Sequence, residues 1–295
     1  MKQTALLIPL FSLFVFGLCC LLGACNDQAA EKTAANRTER YLCLSHTRVC
    51  GYGPPGISSA RYQRIDFSAF DALLLGGDLS CESSKHMETL NHLDSIFQLN
   101  KSNTLWAQGN HDDSRPHLIS LVTKRPDFYT YHQSGNTFAV LNTQRDEGHI
   151  LGAQLEMLQH IADTIEDSHH LIVLTHKLLW MYNHAVLAQE IKSTSNAELC
   201  EEDWCLQPNN FYEAVYPLLL KVKRKGIRVM CIAGDIGINS SQFDFETIDG
   251  IRFLATGVND NIHKDKALVL ILDTKEETMK WQFVKLSDLP QKISI

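Results

Sequence analysis

Short apolar runs, each ended by glycine or by a cluster of polar residues, recur along this chain, with amphipathic stretches between them. The runs read as buried strands: Tyr41 to Ser45, Asp71 to Leu75, Thr104 to Ala107, Thr137 to Leu141, Leu171 to Leu174 and Ile227 to Ala233. Met87, Leu90, Leu93 and Ile96 fall on one side of a helix expected over Glu88 to Leu99. Leu155, Leu158, Ile161, Ala162 and Ile165 do the same for Gln154 to Ile165, the spacing of a helix packed on a sheet. Phe211 to Lys225 reads as a helix despite Pro217. After residue 242 the apolar period drops to two. Phe243 to Thr247 and Ile251 to Leu254, around Asp249-Gly250, predict a hairpin, and Ala267 to Leu272 with Met279 to Val284 predict another. Strand alternating with helix gives an α/β fold, and the length suits one domain of the larger kind.

The amino terminus is patterned differently. Met1-Lys2 is a basic start, Leu6 to Leu22 is almost wholly apolar, and Leu22-Gly23-Ala24-Cys25 resembles a bacterial lipobox. Residues 1–24 therefore read as a lipoprotein signal peptide, cleaved before a lipidated Cys25; an uncleaved anchor is the alternative. Asn26 is similar to the residue that follows the lipidated cysteine in lipoproteins sent to an outer membrane. Residues 25–40 read as the lipidated cysteine and a polar tether, which leaves 41–295 as the folded domain. The expected location is the bacterial cell envelope.

Net charge is -7 with no basic patch, which argues against nucleic acid as a partner. Of the nine cysteines, Cys19 and Cys20 leave with the signal and Cys25 takes lipid. Six remain, and six permit fifteen pairings. Cys200 and Cys205 flank a short acidic loop and could close it; Cys50 and Cys81 follow adjacent strands and could pair. Cys43 and Cys231 sit inside apolar strands, where free buried thiols are the default.

Two strand ends carry most of the chemistry. Leu73-Leu74-Leu75 runs into Gly76-Gly77-Asp78-Leu79-Ser80, and Leu105-Trp106-Ala107 into Gln108-Gly109-Asn110-His111-Asp112. Glycine lets the backbone turn sharply past each strand and leaves Asp78, Asn110 and His111 at the carboxyl edge of a sheet, where α/β folds bind ligands.

Gly-Asp followed by Gly-Asn-His-Asp resembles the calcineurin-like metallophosphoesterases, and Gly77-Asp78-Leu79-Ser80 is especially similar to the purple acid phosphatase form. The resemblance spans most of the chain after residue 40. It implies a two-sheet α/β/β/α sandwich, with a second sheet largely from the C-terminal half, and a metal centre that hydrolyses phosphate esters. Of the family's other motifs, the lone His is kept as His176, while the first and last are altered, to His46-Thr47-Arg48 and Gly234-Asp235-Ile236-Gly237. Carried over residue by residue, one metal site survives as Asp78, Asn110, His176 and Asp235. The other keeps Asp78 and His46, with Arg48 and Gly237 in place of two ligands. The resemblance thus implies one divalent or trivalent ion (Mn, Fe or Zn) and no second metal. It also implies His111 as the acid for the leaving group, Asp112 as the residue that orients it, and Asn110 and His111 as phosphate contacts.

Arg48 cannot coordinate a metal and stays charged. At about 4 Å and an effective dielectric of about 20, a dication beside it would face roughly 8 kcal/mol of repulsion. Across a phosphoryl group from the remaining ion, the same charge is favourable. Arg48 is thus expected to clamp phosphate, the alternative being a salt bridge to Asp78 or Asp235 that seals the site. His46 has three readings: ligand, phosphate contact or nucleophile. Cys81 is read as a disulfide partner or a thiolate ligand. His169-His170 reads as a solvated turn, and His263 as a loop residue.

Two functions fit. One is a metal-dependent phosphoesterase acting on a phosphorylated small molecule, glycan or lipid, held at the membrane through Cys25. The other is a non-catalytic lipoprotein that binds a phosphorylated glycan or lipid head group. The stretch from Trp180 to Asn210 could form a lid or a substrate wall.

Overall fold

A computed structural model describes residues 37–51, 56–198, 205–261 and 263–292. The expected signal peptide, Cys25, the tether up to residue 36, Cys200 and Trp204 lie outside these residues. The strands are β1 (Thr38–Leu44), β2 (Ala72–Leu75), β3 (Thr104–Trp106), β4 (Tyr129–Gln133), β5 (Asn136–Val140) and β6 (His170–Leu174). They continue as β7 (Arg228–Ala233), β8 (Gln242–Glu246), β9 (Arg252–Thr256), β10 (Lys266–Asp273) and β11 (Thr278–Lys285). The helices are α1 (Ser59–Gln63), α2 (Met87–Phe97), α3 (Pro116–Thr123), α4 (Gly152–Thr164), α5 (Ile191–Thr194) and α6 (Tyr216–Arg224).

Among the described residues the strands form two sheets, ordered β11-β10-β1-β2-β3 and β4-β5-β6-β7-β9-β8. The inner strands run parallel, so β1, β2 and β3 of one sheet, and β6 and β7 of the other, release the chain at their carboxyl ends. Side chains alternate across each strand. Tyr41, Cys43, Leu74 and Leu105 meet Phe138, Ile172, Ile232 and Leu254 between the sheets. Leu42, Leu44, Leu73 and Leu75 face outward onto α2, against Leu90, Leu93 and Ile96. On the far side Leu171, Val173, Val229 and Cys231 face Leu158 and Ile161 of α4 and Leu219 and Val222 of α6. The layering is the expected α/β/β/α sandwich.

Several expectations shift. The hairpin β10–β11 does not join the second sheet; it returns to the first, with β10 antiparallel to β1. β10 is apolar on both faces from Ala267 to Leu270, all 0% exposed, and only a central position covers both. β1 begins at Thr38 rather than Tyr41, so the domain reaches into the expected tether. Its first residues are polar, yet Glu39 is buried and accepts hydrogen bonds from Tyr41 Oη at 2.9 Å and Ser134 Oγ at 2.7 Å. The segment from Phe211 opens with a π turn to Val215 before α6, which places Pro217 in the first turn, where its missing N–H costs nothing. Cys50 and Cys81 are joined as a disulfide, and Cys43 and Cys231 are free and buried. Cys81 is therefore not a thiolate ligand. Cys205 is disulfide-bonded as well. His170 is no solvated turn: it is fully buried at the start of β6, with Nδ1 2.8 Å from Asn136 Oδ1.

Candidate active site

His46, Asp78, Asn110, His176 and Asp235 each lie a few residues past the end of a parallel strand, β1, β2, β3, β6 and β7 respectively. The strand ends are stitched together through the backbone. His46 N–H donates to Gly77 O at 2.9 Å, Arg48 N–H to Asp78 O at 3.1 Å, and Asp235 N–H to His176 O at 2.9 Å. Glycine makes this approach available. A Cβ on Gly234 would lie 2.0 Å from the carbonyl oxygen of Gly76, so the two sheets meet here backbone to backbone. Gly77 adopts φ +92° with Gly109 N and His176 Nδ1 where its Cβ would be. His46 and Asp78 are themselves left-handed, both at φ 55°, a conformation that side chains avoid unless the surroundings impose it.

Asp78 is the hub. Its Oδ2 accepts from Arg48 Nε at 3.1 Å and lies 3.9 Å from His46 Nε2. Its Oδ1 accepts from the His111 backbone N–H at 3.0 Å and lies 3.6 Å from His176 Nε2, which is 3.8 Å from Asp235 Oδ1. Burial alone would raise the Asp78 carboxyl; the nearby His176, His46, His111 and Arg48 outweigh it and hold it below the ordinary carboxylate range. For Asp235 burial prevails over the pull of His176, and its carboxyl is raised.

Both histidines are fixed in the same way. His46 Nδ1 pairs with the carbonyl of Val258 at 2.9 Å and His176 Nδ1 with that of Gly76 at 2.7 Å. A carbonyl only accepts, so each Nδ1 carries the proton and each Nε2 is the other nitrogen, buried, without a hydrogen-bond partner and aimed at Asp78. In His46 burial, reinforced by Arg48, lowers the ring to about 4, so at neutral pH this Nε2 is a bare lone pair facing carboxylate oxygen. Around His176 burial works against the charge, but Asp78 and Asp235 raise the ring above its ordinary value. The His46 lone pair turned on a carboxylate calls for a cation between them, and His176 Nε2 meets the same carboxylates either as a protonated donor or across such a cation. Donating the other ring N–H to a backbone carbonyl is also how ligand histidines are held.

The fit has a limit. Among the described residues no group of three or more His, Cys, Asp or Glu side chains is placed to hold a metal ion. Donors of one ion, each about 2.1 Å from it, stand roughly 3 to 3.5 Å apart. The 3.6–3.9 Å spacings around Asp78 are slightly wider. The donor chemistry suits one ion, and the side chains stand slightly too far apart for it.

Arg48 reaches the cavity as well as Asp78. The cavity measures about 220 Å³ and is lined by Arg48, Asp78, Asn110, His111, Asn196 and Asp235, with Ala197 and Ile238. Arg48 makes the salt bridge to Asp78 at 3.1 Å that one reading expected, and it also lines the cavity.

His111 is half-buried with Nδ1 2.8 Å from the carbonyl of Cys81, which leaves Nε2 as the nitrogen able to pass a proton. The orienting partner is therefore the Cys81 carbonyl and not Asp112. Asp112 accepts from the backbone N–H of Asp78 at 2.7 Å, Leu79 at 3.1 Å and Gly109 at 2.8 Å, and from Ser83 Oγ. It locks the two glycine turns against each other. Burial, and then Asp78, raise its carboxyl to about 6.

The fold that brings these strand ends together has relatives among solved structures. A dimetal phosphatase from Danio rerio superposes with a TM-score of 0.53 at 12% identity, over 86% of this chain and 98% of that one. The chain shares the fold of that dimetal phosphatase. A 5'-nucleotidase precursor from Thermus thermophilus gives a TM-score of 0.41 at 10% identity over 86% of this chain, which spans about half (56%) of that protein. No family model matches the sequence, and no curated protein does.

On this fold, sequence reasoning missed Asn196 and the Cys81 carbonyl. Asn196 is brought in by pairing of Ser195 with Ile236, and its N–H donates to Asp235 O at 2.9 Å. No local pattern announces that contact. The expected wall from Trp180 to Asn210 is met in part: Asn196, Ala197 and Gln207 line cavities, whereas Trp180 is fully buried and stacks on Phe253 at 5.0 Å. His263 is exposed and does not line the cavity.

Proposed function

We propose that this chain is a metal-dependent phosphoesterase of the bacterial cell envelope, anchored through a lipid on Cys25 and acting on a phosphorylated small molecule, glycan or lipid. The observation that carries the reading is the pair of buried, unpartnered Nε2 atoms of His46 and His176 turned on Asp78. Asp78, Asn110, His176 and Asp235 would hold one ion of Mn, Fe or Zn, with His46 beside it; such an ion supplies a Lewis acid for phosphoryl oxygen and lowers the pKa of bound water.

The chain's own side chains do the rest. Arg48 faces the phosphoryl oxygens with its guanidinium, held in place by Nε on Asp78. Asn110 offers its amide to the same group. His111 keeps Nδ1–H on Cys81 O and delivers the Nε2 proton to the ester oxygen as the phosphorus–oxygen bond breaks. The water oxygen that bonds to phosphorus as that bond breaks releases one proton, which restores the Nε2–H of His111.

A non-catalytic phosphate binder is the second reading, favoured by the Arg48–Asp78 ion pair and by the open spacing of the donors. Metal content per chain, measured with turnover of generic phosphomono- and diesters, separates the two. The enzyme reading expects one ion per chain and turnover that falls at least about a hundredfold in His111→Ala, the range of general acid catalysis. Wild type that hydrolyses neither ester with Mn, Fe or Zn supplied leaves the binder. Two ions per chain, or full activity in Arg48→Ala, removes the guanidinium clamp.

A further inference from the structure

A second cavity of about 320 Å³ adjoins the first and shares Asn110 with it. Arg48 lines the first only; Asp113, Ser114, Gln144, Glu147 and Lys177 line the second. Gln207 completes the lining, so every residue around this cavity is polar, whereas the first includes Ala197 and Ile238. With about 30 Å³ per water in the liquid, the space takes on the order of ten non-hydrogen atoms.

The lining selects by chemistry. Two carboxylates against one ammonium disfavour an anionic group. No described lining residue has an apolar side chain, which disfavours a hydrocarbon chain. Carboxylates accept, the ammonium donates, and the amides and the serine do both. Adjacent alcohol hydroxyls, each donor and acceptor at once, match such a wall.

The backbone singles out the same place. Asp146 and Glu147 are consecutive non-glycine residues in the left-handed region, at φ 48° and 56°. Such pairs persist only where the surroundings impose them, and they cluster at ligand sites. Here Asp127 anchors the loop by accepting from Arg145 Nε at 2.5 Å and Asn142 Nδ2 at 3.0 Å, and Asn142 Oδ1 accepts from the Gln144 N–H at 2.9 Å. This turn places Glu147 at the cavity wall.

We infer that this second cavity binds the alcohol part of the ester, a neutral polyhydroxylated leaving group such as a sugar or sugar alcohol, while its phosphoryl group lies beside Arg48. The inference rests on the phosphoesterase reading for its turnover but not for its binding. Asp113 and Ser114, directly after His111-Asp112 in the chain, put the polyol wall beside the residue that protonates the departing oxygen.

The test compares a hexitol phosphate with 4-nitrophenyl phosphate on the full chain loaded with Mn, in wild type, Glu147→Gln and Gln144→Ala. The ratio of kcat/KM for the hexitol ester to that for the nitrophenyl ester is expected to fall at least tenfold in each variant, through KM. An unchanged ratio, or wild type that prefers the nitrophenyl ester by more than tenfold, overturns the inference. If no ester is turned over, the phosphoesterase reading has failed and binding decides. Calorimetric titration with hexitol phosphate should then show at least tenfold weaker binding in Glu147→Gln, with binding of inorganic phosphate weakened by Arg48→Ala instead. Equal binding of hexitol phosphate by wild type and Glu147→Gln overturns it on that arm too.

Discussion

Asp112 and His111 are neighbours in sequence and do unrelated work. The carboxylate of Asp112 satisfies three backbone N–H groups and a serine hydroxyl, all buried, with no solvent to replace it. Removing a charged acceptor costs about 1.5–3 kcal/mol per bond, and the stranded donors add to it. Asp112→Ala is therefore expected to lose at least about 3 kcal/mol in denaturant unfolding, whereas His111→Ala loses under about 1 kcal/mol and only its chemistry. Equal stability of the two variants would contradict the division of roles. Asp112→Asn supplies a sharper check. It keeps the shape and loses acceptors, so it should lower stability while leaving kcat near that of wild type. An Asp112 that oriented His111 would lower kcat as His111→Ala does.

Among the secondary-structure elements, the turns after the strands matter more than the strands. Gly76 and Gly234 let β2 of one sheet and β7 of the other end in contact, and a methyl at 234 has no room, 2.0 Å from a carbonyl oxygen. Gly234→Ala should part the sheets at the site, losing several-fold or more in metal affinity by equilibrium dialysis, while far-ultraviolet circular dichroism stays native. The Cys50–Cys81 disulfide joins the turn carrying Arg48 to the turn whose carbonyl orients His111. In Cys50→Ser paired with Cys81→Ser, turnover should fall chiefly through kcat; a change confined to KM would argue against positioning. The same turns show how far the sequence could be read. Asp78 and Asn110 were legible at the ends of apolar runs, whereas His176 and Asp235 stood out only through the family resemblance. β4 was missed because it alternates Tyr129 and Tyr131 with Thr130 and His132 on a half-exposed edge, which yields no apolar run. The return of β10 to β1 and the approach of Asn196 depend on which surfaces are left uncovered after the rest has folded. No local spacing encodes that.

The molecule as a whole places its only described cluster of convergent carboxylates and imidazoles across the seam of two sheets. Asp78 and Asn110 come from one sheet, His176 and Asp235 from the other. A ligand gripping both sides stabilises the folded state by an amount set by its concentration over its dissociation constant, about 4 kcal/mol at a thousandfold excess. For a domain of this size that is roughly 8–16 °C in Tm. Chelator-stripped protein should melt lower by about that margin and recover with the ion. Acid should act on the stripped protein separately. His46 sits near 4 when folded and near 6.5 when unfolded, so below about 6.5 the unfolded chain binds the extra proton. Stability from this group is complete above about 6.5 and lost progressively as pH falls toward about 4, by roughly 3 kcal/mol in all. Asp112 opposes it: its carboxyl, raised to about 6, contributes stability at low pH that is lost as pH rises from about 4 to about 6. The two slopes cancel in part between about 4 and 6, leaving His46 to dominate from about 6 to 6.5. His46→Asn should flatten that upper limb and leave the opposing slope exposed, so that stripped protein grows more stable on mild acidification. A stripped His46→Asn variant with an unaltered pH profile would show that His46 is not held neutral in the fold, and with that the lone pair facing Asp78 would no longer point to a cation.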